Sequence, residues 1–344
     1  MSSPNPTDNN ITPALASRWS VRDFAPVISL AVLVVFFTLV TRRFISFGTL
    51  TLVLQQGSVL AIVAAGLTFV LLCGEIDLSV GTVALWTACL CGVLFEKPWA
   101  AGRGGNEATS MAIVACVIAL PMLTSVVLGL LSGVLTVTSR LPSFIITLAM
   151  MNIANGLARY LTKSEKFAVP DVLETIGNGD LHLAGKLFIP LSAILAACVM
   201  VVGYVILVHT RFGRYVYMTG GNREAARLAG IRTGRIVVAC LALSALTAGL
   251  GGLVNAGRME SVSLDQNADL LLNAVACVVL GGTSLFGGEG GMGRTAIGVI
   301  TFSVLQVGLN QISWINDLMR PFLMGVVLMV ALVINGLLAR RRND

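Results

Sequence analysis

Apolar residues in this chain fall into long, nearly uninterrupted blocks, and a helix needs about 20 of them to cross a bilayer. Read through a window of that length, the pattern predicts ten helices. They lie near 25–41, 49–73, 79–95, 112–137, 141–160, 187–208, 235–256, 268–282, 294–312 and 319–339. The eighth is short and ends in glycines. The alternating pattern of an outer-membrane barrel, with its segments of about 10 residues, is absent. The expected fold class is an all-α polytopic membrane protein of about ten transmembrane helices.

The second and third blocks are separated by Gly74-Glu75-Ile76-Asp77-Leu78-Ser79-Val80-Gly81, with two carboxylates and two glycines amid apolar sequence. A carboxylate at the bilayer centre costs roughly 3 kcal/mol or more, so it needs water or a partner. Irregular backbone at that depth is tolerated only where protein or a cavity covers it. The two blocks read either as separate helices or as one broken helix. Glu75 and Asp77 are open to three readings: coupling-ion carboxylates, substrate ligands, or helix caps. Asp77 precedes Leu78-Ser79-Val80, where an acid accepts hydrogen bonds from free N–H groups, so a cap is favoured for it. No cation stands near it within a span, which argues against a coupling ion.

The spacing G-x-x-[DS]-L-x-x-G recurs once. Gly74, Asp77, Leu78 and Gly81 match Gly281, Ser284, Leu285 and Gly288, offset by 207 residues. Duplicated halves with breaks at matching places are a feature of transporters. Ser79, Gly81, Ser284 and Gly288 therefore join Glu75 and Asp77 as candidates for the breaks or the pathway. Scattered amides within spans, among them Gln55, Asn152, Asn155, Asn273 and Asn310, either line a polar path or tie helices together.

Composition agrees with a membrane protein: 56% of the 344 residues are hydrophobic and 12% charged, with mean hydropathy +0.88. Charge orients the chain. With both termini cytoplasmic, the inner segments hold Arg18, Arg22, Arg140, Arg211, Arg214, Arg223, Arg227, Arg232, Arg235, Arg294 and Arg340 to Arg342. The outer segments are near neutral, so the inner side carries the net +6. This follows the positive-inside rule and explains the basic balance without nucleic acid. Arg42 and Arg43, placed outside, run against it. The expected domain plan is a cytoplasmic tail at 1–24, one membrane domain at 25–339 and a tail at 340–344.

The inner loop 209–234 holds Asn222-Arg223-Glu224-Ala225-Ala226-Arg227-Leu228-Ala229 between Gly220-Gly221 and Gly230, which predicts a short cytoplasmic helix between glycine hinges. The glycine-rich run at 281–291 has no lysine and is no phosphate loop, so the chain lacks that machinery for ATP hydrolysis. HExxH, GxSxG and paired catalytic carboxylates are missing too, and no enzymatic activity is expected. The seven cysteines all lie in apolar segments without metal-ligand spacing and read as packing residues; no metal is expected.

Five motifs in order carry a resemblance. Gly74-Glu-Ile-Asp-Leu-Ser-Val-Gly81, Leu141-Pro-Ser-Phe-Ile-Ile-Thr-Leu148, His209-Thr-Arg-Phe-Gly-Arg-Tyr215, Gly220 through Ile231, and Val279 through Gly288 resemble the ribose-type permeases of bacterial ABC sugar importers. The resemblance implies a ten-helix subunit of the inner membrane, similar in fold to the vitamin B12 type of importer. It implies import of a monosaccharide, a ribose-like pentose first, or a polyol, by alternating access. It also implies partners: a second permease subunit, identical or paralogous, a cytoplasmic ATPase that uses ATP and Mg, and a periplasmic sugar-binding protein. The chain itself would bind no cofactor and would contact only membrane lipid besides. The family's coupling loop matches Glu224, Ala225, Ala226 and Gly230, with Arg223 beside them. Many members of the family it resembles carry glycine where this chain has Glu75, and glutamate also occurs there. The outer loop 161–186 is the expected contact for the binding protein. The rival reading is a stand-alone secondary transporter or channel for a small polar solute, which the few span carboxylates disfavour.

Overall fold

The computed structural model describes residues 21–41, 44–96, 107–182, 188–267 and 269–340. The terminal tails, Arg42 and Arg43, and with them part of the charge argument for orientation, lie outside the described residues. The described residues are mostly helical: α1 (Val21–Val40), α2 (Phe47–Leu72), α3 (Val80–Phe95), α4 (Glu107–Ser139), α5 (Ser143–Thr162), α6 (Asp171–Asn178), α7 (Leu191–His209), α8 (Arg211–Gly221), α9 (Arg223–Leu228), α10 (Thr233–Arg258), α11 (Leu270–Leu280), α12 (Met292–Gln311) and α13 (Arg320–Arg340). A small antiparallel ribbon, β1 (Asp180–His182) with β2 (Phe188–Pro190), precedes α7.

Each of the ten predicted blocks contains one helix. Six of them are long and apolar enough to cross a membrane: α2, most of α4, α5, α7, α10 and α12. The helices α1, α3 and α11 supply shorter apolar stretches. At 1.5 Å per residue, α11 is only about 16 Å long, well short of a bilayer core of about 30 Å. The second and third blocks are two helices, joined by the non-helical residues 73–79.

The core forms where α2, α3, α10, α11 and α12 meet, around Ile62, Val63, Ala84, Ala248, Cys277 and Phe302. Within it, α10 approaches its neighbours over small residues. A β-carbon on Gly252 would lie 2.2 Å from the Ala84 carbonyl oxygen, and one on Gly66 of α2 would lie 2.8 Å from Ser244 Cα. Small residues at helix contacts let dispersion act between backbones, which matters where lipid removes the hydrophobic drive. The flanking helices turn apolar side chains outward: Leu123, Val127 and Leu131 on α4, Val201 and Val205 on α7. In water these would form an improbably large exposed patch; in a bilayer they are the lipid face.

Four elements were not anticipated, among them β2, which occupies Phe188–Pro190 where the helix 187–208 was expected to begin. The predicted outer loop 161–186 contains α6, which packs on the end of α10 so closely that Gly257 leaves no room for a β-carbon beside the Leu173 carbonyl, 2.0 Å away. It also contains the first strand of the ribbon. The inner loop 209–234 contains α8 ahead of the expected short helix. Thr210 caps α8 by accepting from the Gly213 N–H at 3.3 Å, and Phe212 leans on Phe69 of α2 with ring centroids 6.2 Å apart.

Candidate functional site

The break after α2 starts as a helix end. Gly74 turns left-handed with φ +76°, the Glu75 N–H reaches the Val70 carbonyl at 3.0 Å and the Gly74 N–H reaches that of Leu71 at 2.9 Å. This is the Schellman pattern that glycine permits without steric cost. The chain then runs non-helically to Ser79, and its N–H groups need acceptors. The hydroxyls of α5 supply them: Ile76 N–H donates to Ser143 Oγ at 3.0 Å and Leu78 N–H to Thr147 Oγ1 at 3.1 Å. Ser143 and Thr147 stand one helical turn apart, so they lie on one face of α5. Their hydroxyls inside the 141–148 motif were a legible signal that sequence reasoning passed over.

Asp77 is buried among hydroxyls. Its Oδ1 accepts from the Ser79 N–H at 2.9 Å and the Ser79 hydroxyl at 2.6 Å, and its Oδ2 accepts from Ser244 of α10 at 2.8 Å. It therefore holds the chain entering α3 and ties it to α10. Gly81 lies inside α3 as its second residue, where a β-carbon would come within 3.3 Å of the Asn267 carbonyl oxygen.

The second break has the same construction. Gly282 is left-handed at φ +88°, with the Thr283 N–H on Val278 and the Gly282 N–H on Val279. The left-handed residue thus falls one position later than the sequence match of Gly74 with Gly281. The match of Asp77 with Ser284 holds at the level of atoms, because Ser284 Oγ accepts from the Phe286 N–H two residues on, at 3.1 Å, as Asp77 does from Ser79.

Both breaks meet the inner loop at one point. A β-carbon on Gly220, at the end of α8, would sit 1.8 Å from the Leu72 carbonyl oxygen and 2.9 Å from the Gly288 nitrogen. One on Gly287 would sit 2.9 Å from Gly74 Cα and 2.8 Å from the Gly220 carbonyl oxygen. The Gly288 N–H donates to the Leu72 carbonyl at 3.0 Å. Three backbones are therefore in mutual contact with no side chain between them. Tyr217 of α8 adds a bond from its hydroxyl to the Gly290 carbonyl at 3.0 Å. Burial raises the Tyr217 phenol, against a smaller opposing pull from Arg294, so the hydroxyl keeps the proton it donates.

From this knot α9 projects. Asn222 caps it, accepting from the Ala225 N–H at 2.9 Å, and Gly230 closes it with φ +82°. Ala226 faces inward and is buried, whereas Glu224 and Ala225 are exposed and Leu228 is 87% exposed. Arg223 turns back towards the bundle and forms an ion pair with the buried Glu75. The two border a cavity of about 870 Å³ whose wall also includes Arg140, Arg227 and Thr233. Neither the Arg223–Glu75 pair nor the projecting Leu228 was anticipated.

The candidate amides are spread over four helices. Gln55 is on α2, Asn273 on α11 and Asn310 near the end of α12. On α5, Asn152 bonds back to the Leu148 carbonyl at 3.0 Å and Asn155 accepts from Arg159 at 3.2 Å. Among the described residues, no cluster of His, Cys, Asp and Glu forms a metal site. Five cysteines are buried as packing residues, whereas Cys116 and Cys198 are exposed.

Residues 49–332 match the family described as branched-chain amino acid transport system / permease component. The chain is 32% identical over 314 residues to the ribose import permease protein of Escherichia coli K12, covering 90% of this chain and 92% of that one. It is 31% identical over 320 residues to the ribose import permease protein of Bacillus subtilis, covering 92% and 93%. To an autoinducer 2 import system permease protein of Photorhabdus laumondii it is 29% identical over 322 residues, covering 92% and 89%. No solved structure matches it. With six helices fit to cross a membrane and permeases as relatives, it is a multi-pass protein of the inner membrane. The chain belongs to the branched-chain amino acid transport system / permease component family, among the ribose-type permeases of ABC importers.

Proposed function

We propose that the chain is the membrane subunit of an ATP-driven importer that carries a monosaccharide, a ribose-like pentose first, or a polyol. The names of the ribose import permeases support the sugar. In this reading the ten apolar helices form one domain, 25–339, with cytoplasmic termini and the vitamin B12 type of fold. A second permease subunit, a periplasmic sugar-binding protein and an ATPase using ATP and Mg complete the system.

The carrying observation is the glycine knot. Gly220, at the end of α8 and two residues before the cap of α9, is wedged against Gly74 and Gly287, so the segment leading into the coupling helix touches both breaks through backbone. Backbone contacts have no rotamers to absorb a displacement. A shift of α9 imposed by the ATPase therefore passes to both breaks, in the manner of rigid elements with discrete arrangements. Glu224, Ala225 and Leu228 form the face offered to the ATPase, with Ala226 packed beneath and Gly230 as the far hinge. Asp77, Ser79, Ser284 and Gly288 hold the breaks in shape.

Asn152, Asn155 and Arg159 make a polar stripe on the outward side of α5, a helix otherwise apolar there. Polar groups facing hydrocarbon are costly, so this stripe is assigned to the water-filled path between paired subunits. Gln55, Asn273 and Asn310 are assigned no pathway role.

Replacing Glu224 by Lys tests the coupling face. ATP-dependent uptake is expected to be lost while membrane insertion remains; unimpaired uptake overturns the assignment. Solute flux through the reconstituted chain alone, driven by a proton or sodium gradient, would instead establish the stand-alone transporter.

A further inference from the structure

We propose that Glu75 is a positioning residue for the coupling helix, and that its ion pair with Arg223 is the strut through which α9 and the first break move as one body. The inference rests on the coupling role proposed for α9 and adds to it a defined point of attachment. The two residues are 148 positions apart in the chain and belong to different elements. Glu75 follows the left-handed Gly74, and Arg223 follows Asn222, the cap of α9. The ion pair therefore lies beside the glycine contact of Gly74 with Gly220, not on it.

That placement matters mechanically. The glycine contacts around Gly220 hold the end of α8, whereas α9 begins only after Asn222 and is left free to pivot at that joint. A second attachment, displaced from the first, removes the pivot. The pair is also directional: the guanidinium presents fixed N–H vectors to the carboxylate, so its geometry sets an orientation as well as a separation.

The energetics favour persistence of the link. Glu75 is 7% exposed, and a buried carboxylate without a partner is costly. Arg223, with 41% of its side chain exposed, gives up little hydration to supply the charge. Arg140 and Arg227 line the same cavity. They keep the wall around the carboxylate cationic while the pair moves with α9 and the break as one body. Asp77, two residues on, is held by two hydroxyls and the Ser79 N–H, with no cation among them, and cannot take this role.

The test uses the complete transporter, the chain with its ATPase and binding protein, in proteoliposomes. Uptake of radiolabelled D-ribose and ATP hydrolysis are measured together, and the readout is sugar moved per ATP consumed. Glu75→Gln and Arg223→Gln are each expected to lower that ratio by about tenfold, as loss of a partner from a buried pair implies. The charge-swapped double variant, Glu75→Arg with Arg223→Glu, is expected to recover it to within about threefold of wild type, because neighbouring sites couple non-additively. Arg223→Gln, on the exposed helix, carries the test if Glu75→Gln fails to insert. A wild-type ratio in either single variant, or a swap no better than the singles, overturns the strut. A wild-type assembly that moves no ribose under ATP overturns the substrate reading and leaves the strut to be read from binding-protein-stimulated ATP hydrolysis in the same variants. Stimulation unchanged by all three variants overturns it there too.

Discussion

Gly220 and Gly221 are adjacent, alike in the sequence and unlike in the structure. A β-carbon on Gly220 meets the Leu72 carbonyl oxygen at 1.8 Å; one on Gly221 meets nothing within 4 Å. Gly220→Ala is therefore expected to force the end of α8 off the breaks and abolish uptake, whereas Gly221→Ala transports as wild type. Uptake assays on the pair decide it, and equal activity would remove the knot from the mechanism. At Asp77, three donors converge on one carboxylate. Asp77→Ala leaves a buried N–H and two hydroxyls short of an acceptor and is expected to destabilise by roughly 2–5 kcal/mol, at about 1–3 kcal/mol per unsatisfied group with partial relief by hydroxyl rotation. A lowered midpoint of thermal unfolding in detergent would register it. An unchanged midpoint would show that water replaces the carboxylate.

At the scale of elements, α5 does two things with opposite faces. Its inner face lends Ser143 and Thr147 to the non-helical segment after Gly74, and its outer face carries the polar stripe. Replacing Ser143 by Ala and Thr147 by Val together frees two part-buried N–H groups, at about 1 kcal/mol each. Amide hydrogen exchange at Ile76 and Leu78 is expected to accelerate while α2 and α3 stay protected; no acceleration would mean other acceptors take over. The helices in the ten apolar blocks were legible from length and hydropathy, and six of them are long and apolar enough to span. The helices α6 and α8 were not, since both are short and neither is apolar enough to read as a span. Contacts hold them in place: Leu173 and Gly177 against the end of α10, and Phe212 and Val216 against the core beneath α2. The short α9 was legible despite its length, because Asn222 and Gly230 mark its ends.

At the scale of the whole molecule, the proposed water path separates α5 from the apolar outer side of α7 among the described residues. A thiol placed by Asn152→Cys on the α5 stripe is expected to react with a water-soluble maleimide. One placed by Val201→Cys on α7 is not, measured against the labelling of native Cys116 and Cys198. Equal reactivity would place α5 in lipid and remove the path from that face.

The sequence by itself determined the helical class, the apolar spans, the two glycine breaks and the short inner helix with its caps. These follow from local quantities: hydropathy summed over a span, charge beside its ends, and residue types that permit or forbid a turn. Tertiary structure alone decided that both breaks meet the end of α8 at one point. It also decided that Glu75 finds its partner in Arg223, that Asp77 is held by Ser244, and that α5 hydroxyls satisfy the broken backbone. Periodicity specifies which face of a helix is buried but not which distant residue lies against it. A contact between residues 148 positions apart exists only once the bundle has packed.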